Sequence, residues 1–294
     1  MSFREEWPAE TQQLPRTWSI GEHGVELALA ESDGTGRPIL MLHGAASSRE
    51  AFARQFHSPL AEAHRLLALD LPGHGASSDA AGPAGYTLAA LTETVAGCIA
   101  ELKLRRLVIC GWSLGGHIAM ELIGHPAVAG VMITGAPPLS KGPLGMLRAF
   151  QPSWDMLLAS KENFTERDVQ RFYHLCFGQG GSPELLAAVR RADGRVRPAL
   201  TGSMMRGEMR DERLAVETSP VPVAIVNGVA DPFLRLSYLD GLRHQSLWHG
   251  TPLLLADAGH APFWDQPEAY NHLLTEFAAD AMATSASRRE RQAS

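Results

Sequence analysis

Cysteine is scarce. Cys98, Cys110 and Cys176 are the three in 294 residues, too few and too scattered for a disulfide framework, and they fit no metal-site spacing. Cys110 falls in an apolar run and Cys98 in a helical one, so both are expected in the core, and the compartment is expected to be a reducing cytoplasm. Long apolar runs are missing too: none approaches the ~18 residues a membrane span needs. Met1-Ser2-Phe3-Arg4-Glu5-Glu6-Trp7-Pro8 has acidic residues and no apolar stretch, so it does not read as a signal peptide. Excess basic charge is absent. A net charge of −6 argues against nucleic acid or an anionic membrane as a partner, and Arg288-Arg289-Glu290-Arg291 is too short and mixed to form a basic patch. No internal repeat and no His-x-His-x-Asp-His cluster occurs, so neither zinc nor another cofactor is expected. What is present, 45% apolar and 20% charged residues, suits a globular chain with a substantial core. Its length allows one large domain or two small ones.

Short apolar runs alternate with helical periodicity. Residues 1–15 read as a loosely held arm, and Trp18 to Ala30 as a hairpin around Gly21-Glu22-His23-Gly24. Pro38 to His43, Arg65 to Asp70, Leu107 to Gly111, Gly130 to Thr134, Val223 to Asn227 and Pro252 to Ala256 read as buried strands. Arg49 to Glu62, Thr87 to Leu102 and Pro267 to Met282 read as helices. Such alternation predicts an α/β fold, a mostly parallel sheet with helices on both faces. Between Pro137 and Thr218 no buried strand is apparent, while Thr165 to Leu175 and Pro183 to Ala192 are helical; this is a helical lid inserted over the sheet's carboxyl edge. The expected organisation is core over 16–136, lid over 137–218, core again over 219–283, and a disordered tail over 284–294.

The chemistry begins at Gly111-Trp112-Ser113-Leu114-Gly115-Gly116, set between a strand and an apolar-periodic helix. In that context Gly-x-Ser-x-Gly is a nucleophile elbow. The turn is so tight that the serine's neighbours must lack bulk, and Gly116 lets the helix pack close to the sheet. A serine hydroxyl needs a base and the base an orienting acid, in the order Ser, acid, His. Asp231 follows the strand ending at Asn227, and His260 follows the last strand, so both leave the same sheet edge as Ser113. His43, His74 and His117 are competing bases. Asp257 is too close in sequence to His260 to reach its ring easily, Asp70 is expected to tie down Pro72-Gly73-His74-Gly75, and Asp265 to cap the last helix. Oxyanion donors are expected at the Leu114 and Ala45 backbone N–H groups, with Gly44 allowing close approach.

Together His43-Gly44, Asp70-Leu71-Pro72-Gly73-His74-Gly75-Ala76-Ser77, the elbow, Asp231 and Ala258-Gly259-His260-Ala261-Pro262 resemble the α/β-hydrolase superfamily from about residue 17 to 282. That superfamily hosts esterases, lactonases, dehalogenases and C–C hydrolases. A serine at the elbow sets aside the members that use aspartate there. A narrower resemblance joins Gly111 to Ile118, Met132-Ile133-Thr134-Gly135-Ala136-Pro137-Pro138, Glu166-Arg167-Asp168-Val169, Asp193-Gly194-Arg195 and Val226-Asn227-Gly228 leading into Asp231-Pro232-Phe233. These look like the metal-independent N-acyl-homoserine lactonases, the quorum-quenching hydrolases of this fold. That group has Asn where this chain has Ala45, and its acid can be Glu where this chain has Asp231.

The resemblance implies attack by Ser113 on a cyclic ester, with His260 as base. The expected substrate is a small ester or lactone with an apolar tail, and the chain a monomer or weak homo-oligomer. Met146, Leu147, Phe150, Trp154, Met156, Leu157, Phe172, Tyr173, Met204 and Met205 could form the tail's channel, Trp112 flanks the serine, and Tyr173 could hydrogen-bond an amide. A carboxylesterase would share the whole triad. A C–C bond hydrolase would need convergent arginines, for which Arg148, Arg190, Arg191 and Arg195 are available. A non-catalytic scaffold would be expected to have a broken triad.

Overall fold

The computed structural model describes residues 17–22, 25–242 and 247–293; the arm expected over 1–15 lies outside them. Among the described residues the strands are β1 (Thr17–Glu22), β2 (Val25–Glu31), β3 (Pro38–Leu42), β4 (Arg65–Leu69), β5 (Leu107–Trp112), β6 (Val128–Thr134), β7 (Val223–Gly228) and β8 (Leu253–Leu255). They form one sheet in the order β1-β2-β4-β3-β5-β6-β7-β8. The β1–β2 and β2–β4 pairs are antiparallel, and every later pair is parallel. Parallel pairing puts the carboxyl ends of β3, β5, β6, β7 and β8 on one edge.

Every residue of β5, β6 and β7 is buried, as a parallel strand covered on both faces requires. Alternate residues feed opposite layers. Leu40, Leu67, Ile109, Val131 and Ile225 share one buried layer with α3 (Leu88–Glu101), and Met41, Ala68, Cys110, Met132 and Ala224 share the other with α11 (Pro267–Ala293). On α11, Tyr270, Leu274, Phe277 and Ala281 form the buried stripe. Gly130 of β6 admits that helix, since a Cβ there would lie 2.7 Å from the Ala281 Cβ.

Two expectations change. The helix expected over Arg49 to Glu62 is three pieces: a 3-10 turn at Arg49–Phe52, α1 (Ala53–Phe56) and α2 (Pro59–Ala63). Pro59 has no N–H and bars Ser58 from helical geometry, so Ser58 instead caps α2, accepting the Leu60 N–H at 3.3 Å. The last helix passes Met282 and runs to Ala293, through the segment expected to be a disordered tail. That segment has no Gly or Pro to stop it, and Ala, Arg and Glu favour its continuation.

α4 (Leu114–Glu121) follows β5 directly. Between β6 and β7 the chain forms α5 (Pro143–Ala149), a 3-10 turn at Trp154–Ser160, α6 (Glu166–Phe177), α7 (Pro183–Arg191), α8 (Val196–Met205) and α9 (Glu212–Glu217). After β8 comes α10 (Pro262–Asp265) and then α11.

Candidate active site

Ser113 sits between β5 and α4 with φ 52° and ψ −115°, a backbone conformation L-residues rarely adopt. The surroundings hold it there. Its N–H donates to the Thr134 carbonyl at 2.8 Å. A Cβ on Gly111 would lie 2.2 Å from the Gly115 carbonyl oxygen, and one on Gly115 2.0 Å from that of Leu42. The serine is thereby set at the amino end of α4, where the helix dipole and the free Leu114 N–H favour negative charge.

Asp231 and His260 meet across the β7 and β8 loops. His260 Nδ1 donates to Asp231 Oδ2 at 2.8 Å, with both side chains buried. Asp231 Oδ1 accepts the N–H groups of Phe233 and Leu234, which fixes the carboxylate's orientation. The His260 ring meets Phe233 edge-on at 4.7 Å, and Trp112 Nε1 donates to the His260 carbonyl at 2.8 Å. Gly135, at φ 63°, leaves the ring its space: a Cβ there would lie 2.7 Å from His260 Cε1. Asp265 accepts the Gly259 N–H at 2.8 Å and braces the His260 loop.

The loop after β3 faces Ser113. Gly44 is needed for that approach, because a Cβ would crowd the Ser113 Cβ at 3.0 Å and the Trp112 ring at 3.1 Å. Among the described residues neither the Ala45 N–H nor the Leu114 N–H is used on another acceptor. His43 and His74 hold this loop and do not reach toward Asp231. Leu71 N–H donates to His43 Nε2, whose Nδ1 donates to the Gly44 carbonyl. Ala46 N–H donates to His74 Nε2, whose Nδ1 donates to the Pro72 carbonyl. Burial pushes their pKa values down to about 4 and about 3, so both rings are neutral and can accept. Asp70 ties the neighbouring turn as expected, accepting from Ala76 N–H at 2.8 Å and pairing with Arg49.

Ser113 and His260 line a cavity open to solvent, of about 790 Å³, between this edge and the helices above. Gly44, Ala45, Trp112 and Leu114 line it as well. Tyr173 does not. On α6, Phe172 and Cys176, one turn apart, take the cavity side; Tyr173 is rotated about 100° from Phe172 and donates to the Ser182 carbonyl at 3.3 Å. Of the other apolar residues expected in the channel, Met146, Phe150, Met156 and Met204 line it with Phe172, while Leu147, Trp154, Leu157 and Met205 are exposed. Arg190, Arg191 and Arg195 pair with Glu166, Asp79 and Asp193, and Arg148 is exposed, so none of the four converges on the cavity.

One charged side chain on the cavity wall and one buried behind it escaped the sequence. Arg197 is buried on its wall, donating to the Lys161 and Glu162 carbonyls at 2.7 Å each with its guanidinium over Phe164, and burial lowers its pKa to about 10. Glu212 is buried against His117, which also lines the cavity. No local pattern marks either one; lid folding alone brings them in.

The profile of the Alpha/beta hydrolase family matches residues 39–273. A pimeloyl-[acyl-carrier protein] methyl ester esterase of Nitrosomonas europaea is 30% identical over 253 residues, 82% of this chain and 95% of that one. The structure of N-acyl homoserine lactonase AidH complexed with N-butanoyl homoserine superposes with a TM-score of 0.87 at 34% identity, covering 90% of this chain and 97% of that one. A putative aryl esterase from Burkholderia cenocepacia gives 0.75 at 25% identity, covering 91% and 100%.

Proposed function

The chain belongs to the α/β-hydrolase family, and we propose that within it this protein opens the ester ring of N-acyl-homoserine lactones through Ser113, His260 and Asp231. The observation carrying this reading is the likeness to the AidH lactonase, which spans 90% of the chain and is closer than the likeness to the aryl esterase (TM-scores of 0.87 and 0.75). The apolar walls from Met146, Phe150, Phe172 and Met204 suit an acyl tail beside the serine.

In this mechanism Ser113 Oγ attacks the lactone carbonyl carbon while its proton passes to His260 Nε2, and Asp231 stabilises the imidazolium. The tetrahedral oxyanion accepts from Leu114 N–H and Ala45 N–H. The ring C–O bond then breaks, His260 returns the proton to the leaving alkoxide, and an N-acyl-homoseryl ester of Ser113 remains. Water gives a proton to His260 and attacks that ester; the bond to Ser113 Oγ then breaks, His260 returns the proton to Oγ, and N-acyl-homoserine leaves.

The test follows acid release from lactones of several acyl lengths, with and without a chelator, beside a p-nitrophenyl ester. Lactone opening is expected to be chelator-insensitive and to fall by about 10⁴-fold or more in Ser113→Ala, with the circular dichroism spectrum unchanged. Ester cleavage without lactone opening would replace this reading with a carboxylesterase; the Nitrosomonas relative is named a methyl ester esterase.

A further inference from the structure

Below Ser113, His117 faces the same cavity with a buried carboxylate, Glu212, behind it. His117 lies four residues along α4, and helical side chains tilt toward the amino end, so its ring lies over the turn that carries the nucleophile. Glu212, on the first turn of α9, is fully buried. Its Oε1 and Oε2 lie 2.8 and 3.0 Å from His117 Nδ1, and Oε2 also accepts the Leu139 N–H at 3.0 Å. Glu212 N–H donates back to the Leu139 carbonyl at 2.9 Å, so the carboxylate is held by its own backbone. Both contacts to His117 use Nδ1, which leaves Nε2 as the ring nitrogen for the cavity.

The protonation of the pair decides what Nε2 offers. Burial pushes the Glu212 carboxyl up, because a lone negative charge is poorly solvated there. Asp231 spreads its charge over two backbone N–H groups, whereas among the described residues Glu212 accepts one, so its pair with His117 favours zero net charge. Two arrangements satisfy that: carboxylate with imidazolium, or carboxylic acid donating to a neutral imidazole through Nδ1. In both, Nε2 carries a hydrogen. The ring is a donor into a cavity whose other walls are largely apolar.

The geometry points to His117 as a specificity-determining residue whose Nε2–H, oriented by Glu212, donates to a second carbonyl oxygen on the acyl side of the substrate. It selects esters and lactones that carry such a carbonyl near the scissile one over those with a plain alkyl chain. In its lactone form this inference rests on the proposed lactonase activity, where the amide carbonyl fills the role. The serine–histidine chemistry itself is left to His260.

The experiment uses two matched pairs that differ in that carbonyl alone. One is α-(2-oxoheptyl)-γ-butyrolactone against α-heptyl-γ-butyrolactone; the other is methyl 4-oxononanoate against methyl nonanoate. Wild type is expected to prefer the ketone by about tenfold in kcat/KM, since a buried donor left without an acceptor is costly. His117→Phe should collapse the ratio to about one, whichever way the absolute rates move. Glu212→Gln should keep it, because the amide oxygen can accept from Leu139 while its NH₂ donates to Nδ1 and leaves the hydrogen on Nε2. A ratio unchanged in His117→Phe overturns the inference, as does the absence of any wild-type preference in both pairs, a result that does not depend on the variant folding. If the lactones are untouched but the open-chain pair shows a ratio that His117→Phe removes, the lactonase reading falls and this one stands. If neither pair is hydrolysed, it is overturned.

Discussion

The floor of the site and the lid above it are built to different tolerances. On the floor, Ser113 is held in strained geometry by glycines without room for a Cβ, and Asp231, His260, His43 and His74 are buried and hydrogen-bonded. In the lid the pairs Arg190–Glu166 and Arg171–Asp155 are solvent-exposed, and Leu144, Leu147 and Trp154 project outward. Exposed ion pairs contribute ~0–1 kcal/mol each, so the lid's helices are not locked by them. Hydrogen bonds to the core tie it down at several points: Tyr86 Oη donates to Asp193 at 2.6 Å, Asp193 N–H to the Gly73 carbonyl at 2.8 Å, Arg191 to the Ser77 carbonyl at 2.9 Å, and Trp264 Nε1 to the Gly180 carbonyl at 2.8 Å. The contrast separates two jobs. Bond chemistry depends on fixed angles and sits on the sheet edge, while substrate choice is left to a layer that can be rebuilt without disturbing it.

Breaking the floor should have the largest effect. In Asp231→Asn the amide oxygen keeps the Phe233 and Leu234 N–H bonds, so the NH₂ faces His260 Nδ1 and forces the hydrogen onto Nε2. The base is lost and kcat should drop by about 10⁴-fold. Steady-state kinetics beside a melting curve would check this; a drop under tenfold would mean that another acid orients the ring. A smaller effect is expected at the histidine lock. His74 titrates near 3 in the fold and near 6.5 unfolded, so below pH 6.5 the unfolded chain binds more protons. Its contribution is therefore complete above pH 6.5 and lost as the pH falls toward 3. Denaturant titrations should show the stability gap between wild type and His74→Gln narrowing by about 2 to 3 kcal/mol from pH 7 to pH 4.5. A constant gap would mean that the ring is not held neutral.

The same division governs what could be read in advance. Ser113 and Asp231 were legible because each follows closely on a buried strand, and His260 because it follows the apolar run of the edge strand β8; parallel strands bring their ends together whatever the helices do. The Ser58-Pro59 break was equally local, but the apolar periodicity of Arg49 to Glu62 spoke more strongly than one proline. Tyr173 was misplaced because amphipathic spacing marks a helix face without saying whether it meets the cavity or the core; Phe172, its neighbour, has the cavity. Glu212 and Arg197 were invisible because their partners, His117 and the Lys161–Glu162 carbonyls, lie 95 and about 35 residues away through the lid. Nothing in a linear pattern encodes how a lid returns to the sheet.

The smallest effect is expected at the lid's outer face. Trp154 is 88% exposed, while Met156, two residues on in the same 3-10 turn, lines the cavity. A large aromatic left in water contributes little to packing, so Trp154→Ser should change stability by no more than about 0.5 kcal/mol. If the cavity wall alone chooses the substrate, the variant should also keep its kcat and KM for short and long acyl chains. Kinetics across a chain-length series checks this against the opposite outcome. A KM that rises more than about threefold for long chains, with kcat unchanged, would place Trp154 on the path of the tail. It would extend the selective layer from the inner wall of the lid to its outer surface, and the boundary between the two layers would then lie at the sheet edge alone.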